Sequence, residues 1–385
     1  MWFFALVACT PDIRGLYEQE RTAALTAASE RPAHWEPDLR ISIAEPDLEA
    51  ALSATLRAAL ADSKPIRVAL PLGLKAELRP RVNVEKAAIH PSDACPSCLG
   101  FDAAFAGRAA WSVGPASGTL PFEASADGVF SVDVEDGTRV VARPKTIGNV
   151  HVKISDYDDL RANPSKEVQD WVRAQLKEQL APIPLIDLAA SGLPLRDLRL
   201  RTGNGVTVEV LTNVPGSRPV TAARPLNVGV RVEVSETALA GLARRAAFEQ
   251  GVLAMDVAAD PHAMVVDGSD FTLSLRLWRL TGRGWWRDYE IEGAVKVERG
   301  KVVLAPKRAK ETGQSKGAGL VDPLVALFEG KVLEAVTGAL DRSLPASHSE
   351  DLGMVRLQAA ASHVSGRDGT VTIDGTLDVS PPHTK

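Results

Sequence analysis

LRISIAEPDLEAALSATLRAAL, residues 39–60, and VRVEVSETALAGLARRAAF, residues 230–248, decide how this chain is read. Each is a short alternating stretch, then a turn rich in acidic or hydroxyl side chains, then an amphipathic run. In the first, Ile41 and Ile43 alternate with Arg40 and Ser42, the period of a half-buried strand. Pro46 then suits a first helical turn, where its missing N–H costs nothing. Leu48, Leu52, Leu56 and Leu60 follow in steps of four and fall on one helix face. In the second, Val232 and Val234 form the strand, Ser235 or Glu236 starts the helix, and Leu239, Leu242 and Ala246 make the apolar stripe.

The order repeats further along. Asn163-Pro164 and Asp322-Pro323 each pair a capping side chain with a proline, a helix-start signal. Val168, Val172, Leu176 and Leu180 step by four after the first, and Leu324, Phe328, Val332, Val336 and Leu340 do so after the second. Both helices are expected to stop at prolines, Pro182 and Pro345. A glycine-turn hairpin follows each: LRLRTGNGVTVEV, residues 198–210, and VSGRDGTVTIDGTL, residues 364–377. Between the helices, strands are expected over Ile66–Leu74, Ala76–Val84, Phe101–Val113, Val129–Val134, Arg139–Arg143 and Val150–Ile154, then over Phe271–Leu280, Tyr289–Val297 and Lys301–Leu304. Runs of antiparallel strands flanked by helices predict an α+β fold of two tandem pseudo-repeated units. The expected division is a lipoprotein signal remnant at 1–9, a tether at 10–37 with a short helix over Ile13–Ser29, a first unit at 38–212, a linker at 213–225 and a second unit at 226–385.

Composition agrees with two domains: 385 residues, 45% hydrophobic and 24% charged, are ample for a sizeable core. A net charge of −5 argues against nucleic acid as a partner. The opening MWFFALVACT is apolar up to Cys9, and Leu6-Val7-Ala8-Cys9 has the form of a bacterial lipobox, whose thiol receives diacylglycerol. No Lys or Arg precedes this short apolar run, so the translation start is expected upstream. The alternative is a first strand with a free thiol. Thr10 after the cysteine points to an outer membrane, and several acyl chains make attachment stable where one is marginal. Cys95 and Cys98 form CPSC, read as a local disulfide pinning a loop. A thioredoxin-like role needs a helix after the motif, and a zinc site using His90 lacks a fourth ligand nearby.

This order of strands, helices and hairpins, from Leu39 to Val379, resembles the tubular lipid-binding superfamily typified by bactericidal/permeability-increasing protein. The resemblance implies that each unit wraps a long helix in a strongly curved antiparallel sheet. It also implies that the units join end to end through a central sheet, and that lipid tails enter an apolar slot between helix and sheet. Residues placed on that slot are Leu48, Leu52, Leu56, Val168, Val172 and Leu176 in the first unit, with Leu239, Leu242, Phe328, Val332 and Val336 in the second. Plain core packing is the alternative for each.

The segment LRLWRLTGRGWWRDYEIEG, residues 275–293, concentrates tryptophan and arginine. With Gly282 to Gly284 at a hairpin tip, Trp285, Trp286 and Arg283 are candidates for membrane contact, the alternative being packing across strands. KRAKETGQSKGAG, residues 307–319, reads as a solvated loop. Asp156, Asp158 and Asp159 read as an acidic turn in preference to a cation site. No GxSxG nucleophile elbow is expected, no HExxH and no glycine loop followed by Lys-Ser or Lys-Thr occurs, and the histidines are scattered. The expectation is a periplasm-facing outer-membrane lipoprotein that binds and transfers lipid, a phospholipid, sterol-like molecule or other hydrophobe. It would do no chemistry, take no cofactor or metal, and work with envelope transport partners. The alternative is an adaptor lipoprotein that binds another envelope protein and carries no lipid.

Overall fold

The computed structural model describes residues 12–27, 36–61, 65–70, 74–155, 163–180, 182–188, 195–203, 205–214, 220, 226–252, 256–282, 284–315, 349–351 and 356–380. Along the N-terminal half run α1 (Ile13–Ala27), β1 (Leu39–Ala44), α2 (Glu45–Ala61), β2 (Ile66–Ala69), β3 (Lys75–Pro91), β4 (Cys98–Val113), β5 (Ala116–Glu135), β6 (Arg139–Ile154), α3 (Ser165–Gln179), β7 (Ile183–Asp187), β8 (Leu195–Gly203) and β9 (Gly205–Thr212). The C-terminal half holds β10 (Val230–Ser235), α4 (Glu236–Gln250), β11 (Val257–Asp267), β12 (Asp270–Arg279), β13 (Trp285–Glu298), β14 (Lys301–Gln314), β15 (Ser349–Asp351), β16 (Arg356–Arg367) and β17 (Thr370–Ser380). The chain is α+β. Among the described residues the strands form three open antiparallel sheets, ordered β2-β3-β4-β5-β6-β7, β11-β12-β13-β14 and, centrally, β15-β16-β17-β10-β1-β9-β8.

In the central sheet β1 and β10, the strands that open the two quoted stretches, pair directly, with Ile41 opposite Val232. Beyond β1 lies the β8–β9 hairpin and beyond β10 the β16–β17 hairpin, so the same order extends outward on both sides. Alternation sends Ile41, Val208, Val232 and Ile373 to a buried face. The opposite positions carry Arg40, Glu209 and Glu233, also buried: the Arg40 guanidinium donates to Glu233 at 3.2 Å and to Glu209 at 3.4 Å. Burial without partners would be costly for any of the three. Gly205 opens β9 at φ +122°, and a Cβ there would meet the Ile43 carbonyl oxygen at 2.2 Å, so only glycine fits this close approach.

Several expectations need correction. Val129–Val134 is part of β5, and Arg139–Arg143 and Val150–Ile154 are one strand, β6; register shifts at Ala126/Gly128 and Val129/Phe130 let the long pair bend without breaking, so the alternation slips while the ladder continues. The lysine-rich run expected as a loop is strand through Gln314: β14 is an edge strand, where outward charges are tolerated and block further pairing. β11 was not foreseen, because Pro261 sits at a register shift against β12 and breaks its pattern. The helix expected after Asp322-Pro323 lies outside the described residues.

The helix expected within the tether, α1, is docked. Ile13 and Tyr17 are buried with Phe248, Ala258 and Trp278 in a small cluster on the outer face of the four-stranded sheet. The Tyr17 ring lies 5.8 Å from Phe248 and 6.1 Å from Trp278. Arg244 donates to the fully buried Asp260 at 2.6 Å and to Glu20 of α1 at 3.0 Å. Arg21 donates to the Phe248 carbonyl at 3.0 Å. Tyr17 meets the end of α4 and Glu20 meets it a turn earlier, so α1 runs antiparallel to α4.

Candidate functional site

Asp47, in the first turn of α2, accepts from the Gly229 N–H at 2.6 Å, fixing the helix start against the central sheet. Glu49 accepts from the Ile89 N–H at 3.1 Å, just past the register shift in β3. With α2 so aimed, Leu48, Leu52, Leu56 and Leu60 are all buried, joined by Ala51 and Ala59. Ahead of α3 the Asn163 side-chain oxygen accepts from the Ser165 N–H at 3.0 Å, but Pro164 and not Asn163 holds the cap position, so the expected asparagine cap is not formed; Val168, Val172 and Leu176 point inward with 0% exposure. α2 and α3 pack on each other and on strands of the six-stranded sheet.

Facing them, alternate positions of β4 and β5 present Phe101, Ala103, Phe105, Ala109, Phe122, Ala124, Ala126 and Phe130 to the same interior. Large rings thus alternate with very small side chains. Phe101 and Phe130 lie 5.2 Å apart, and the Phe122 and Phe101 rings cover Gly107 and Gly128. Besides Asp47, two further buried polar side chains of α2 and α3 interrupt the apolar stripes: Thr55, which donates to the Ala51 carbonyl at 2.8 Å, and Gln175.

In the C-terminal half Ser235 caps α4, accepting from the Ala238 N–H at 3.1 Å. Leu239 and Leu242 are buried; Ala246 is half-buried and Ala243 and Ala247 take the inward positions, because a straight helix drifts from a strict stepping pattern. Phe328, Val332 and Val336 lie outside the described residues, as do Cys9, Arg283 and the Asp156–Asp159 cluster. The described slot residues of both halves belong to one continuous apolar core, to which Ile41 and Val232 on the buried apolar face of the central sheet also belong.

Trp285 and Trp286 point to opposite faces of β13. Trp285 packs against the main core and Trp286 against the outer cluster, across from Trp278. The Arg276 guanidinium lies 4.1 Å from the Trp286 ring centre and is paired with Asp288 at 2.6 Å. That hydrogen bond, partly opposed by burial and aided by the carboxylate charge, raises its pKa. A disulfide joins Cys95, in the turn after β3, to Cys98, the first residue of β4. His90 lies over Gly100, with Nε2 at 3.3 Å from Asp102, and no group of metal-binding side chains occurs among the described residues.

Contrary to the expectation that no GxSxG elbow occurs, Gly313-Gln314-Ser315-Lys316-Gly317 has that spacing. Such an elbow needs an exposed serine on a strand-to-helix turn. Ser315 directly follows the edge strand β14, is half-buried, and is tied to Trp286, its Oγ accepting the Trp286 N–H at 3.1 Å and its own N–H donating to the Trp286 carbonyl at 3.0 Å.

No family model and no curated protein matches this chain. Among solved structures it is similar to lipopolysaccharide binding protein, at 11% identity and a TM-score of 0.46, covering 89% of this chain and 99% of that one. It is also similar to P47 from Clostridium botulinum A2, at 12% identity and a TM-score of 0.33, over 88% of this chain and 97% of the other. P47 of Clostridium botulinum E1 is similar at 10% identity and a TM-score of 0.37, over 89% and 100%.

Proposed function

We propose that this chain is a lipid-binding lipoprotein of the bacterial envelope. In this reading the segments 38–212 and 226–385 are tandem copies of one unit, each curling a sheet around its helices. The first holds acyl chains or another hydrophobe between α2, α3 and the six-stranded sheet, the second holds them beneath α4, and the protein transfers lipid between membranes. It is anchored through acylated Cys9 at the outer membrane, faces the periplasm, and does no chemistry.

The observation that carries the reading is the lining of the first interior. Leucine and valine stripes of two helices face a sheet surface kept low by Ala103, Ala109, Ala124 and Ala126 between phenylalanine rings. An acyl chain entering such a lining gains about 0.8 kcal/mol per buried methylene and needs no polar recognition of its tail. The mirrored strand order about β1 and β10 supports the duplication.

Native mass spectrometry on the chain purified without detergent tests the proposal: the expected result is a protein carrying lipid mass that organic solvent releases. A stable chain with no lipid would overturn it. One feature favours a second reading, an adaptor whose interior is filled by its own side chains: the Phe101 and Phe122 rings already occupy the space above Gly128 and Gly107. A lipid-free result would leave that reading standing.

A further inference from the structure

The turns of the four-stranded sheet fall at two ends. At one end the β11–β12 and β13–β14 turns are fastened to the central sheet: Gly268 and Gly366 exchange both backbone hydrogen bonds, at 2.9 and 2.8 Å, and the Ala361 N–H donates to the Gly300 carbonyl at 3.0 Å. The β12–β13 hairpin therefore lies at the other end, away from the molecule's middle. Its tip exposes Thr281 and Gly282 and is flanked by half-buried Arg279, Leu280, Trp285 and Trp286.

The first turn of α1 rests against this same tip. A Cβ on Gly284 would lie 2.8 Å from the Ile13 Cβ. From there α1 runs back along α4 toward the middle, held by Tyr17 in its aromatic nest, by Glu20 on Arg244 and by Arg21 on the Phe248 carbonyl. The helix is thus fixed at several points, and so is the place where the chain preceding it must emerge. Cys9 is three residue steps before Asp12, a reach of at most about 11 Å even when fully extended.

We propose that the β12–β13 hairpin end is the surface this chain applies to a lipid bilayer, with α1 as the bracket holding the membrane attachment point beside it. The proposal rests on reading Cys9 as that attachment point. A short link and a docked helix leave the anchor little freedom to reach any other face. The described groups beside the tip suit a bilayer interface: Trp285 and Trp286 are only half-buried and indole rings favour the headgroup level, while the half-buried Arg279 brings a guanidinium able to meet a phosphate oxygen. The hydrophobe would then enter or leave at the membrane-facing end of the C-terminal half.

The test places an environment-sensitive fluorophore on Thr281→Cys or, as the comparison site in the N-terminal half, on Ser117→Cys. Quenching by nitroxide-bearing lipid is then measured on vesicles of phosphatidylethanolamine and phosphatidylglycerol. One arm uses the chain purified from a bacterial envelope. The other replaces residues 1–9 with a hexahistidine tag bound to nickel-chelating lipid in the same vesicles. Quenching several-fold stronger at Thr281 than at Ser117 in the tagged arm supports the proposal, and equal or reversed quenching there overturns it. Mass spectrometry of the envelope-purified N-terminus separately reads acylation of Cys9. Its absence would sink the lipoprotein reading, while the tagged arm still decides which end faces the bilayer. A Tyr17→Ala, Glu20→Ala chain that keeps its circular dichroism but also keeps the full quenching preference would overturn the role of α1.

Discussion

Tyr17 shows how one side chain can tie the N-terminal helix to the body. Its ring is buried, and its hydroxyl finds no hydrogen-bond partner among the described residues. Burial, with the charges of Glu18 and Asp260 adding to it and Arg21 opposing, raises its pKa above the ordinary 10.0. The folded protein therefore holds the phenol proton more tightly than the unfolded chain, so stability from this group is full below the unfolded value and is lost as pH rises through the folded one. The denaturation midpoint should drop above about pH 10, and Tyr17→Phe should flatten that part of the profile at little cost near neutrality, since it removes an unpaired buried hydroxyl. A mutant that keeps the wild-type alkaline slope would count against the assignment. At Gly205 the constraint is on backbone: Gly205→Ala should cost about 1–3 kcal/mol by chemical denaturation, from the positive φ and the collision with the Ile43 carbonyl. The turn glycine was legible in the sequence as a hairpin signal. The Glu209–Arg40–Glu233 row was not, because alternating polar positions in a strand read as solvent-facing until the neighbouring strands are known.

Among the elements, those legible in advance carried both a periodic stripe and a boundary residue. Ser235 marked α4 and Pro46 the opening turn of α2, each beside apolar positions three or four apart, while Asn163-Pro164 marked where α3 begins although Pro164 and not Asn163 takes the cap position. β11 lacked such a signal, with Pro261 interrupting it, and β14 was hidden by charges that its edge position accepts. The docking of α1 was also hidden, since its partners on α4, β11 and β12 lie more than 200 residues away and no local pattern encodes such a contact. This docking makes a contrast that can be measured. Arg244→Met leaves Asp260, which is 0% exposed, without its closest cation, the nearby His262 Nε2 being 3.8 Å away; the expected loss is about 3 kcal/mol. Glu20→Gln removes only the exposed partner of the same arginine and should cost under about 1 kcal/mol. Equal losses in urea titrations of the two variants would mean that Asp260 is not the anchor of this junction.

At the scale of the whole molecule, the α+β class and the two glycine-turn hairpins β8–β9 and β16–β17 were readable from the chain, whereas the joining of the described core residues of both halves with the apolar face of the central sheet in one cluster was not. That continuity raises a question the proposed function must answer: whether the two halves hold lipid independently. Ala126 faces the interior from β5, and Ala243 is buried on α4. Enlarging either side chain fills space in one half only, at a strain of about 1–3 kcal/mol that a 385-residue fold can absorb. If each half binds on its own, Ala126→Phe and Ala243→Leu should each lower the lipid released per chain by about half, and the double variant should abolish it, because methylenes bound in separate slots contribute additively. If lipid occupies one connected channel through the middle, either substitution should by itself remove most of the load. Quantitative lipid mass spectrometry against a circular-dichroism check of folding separates these outcomes. Wild-type loading in the folded double variant would mean that the lipid lies elsewhere than in these helix-covered interiors.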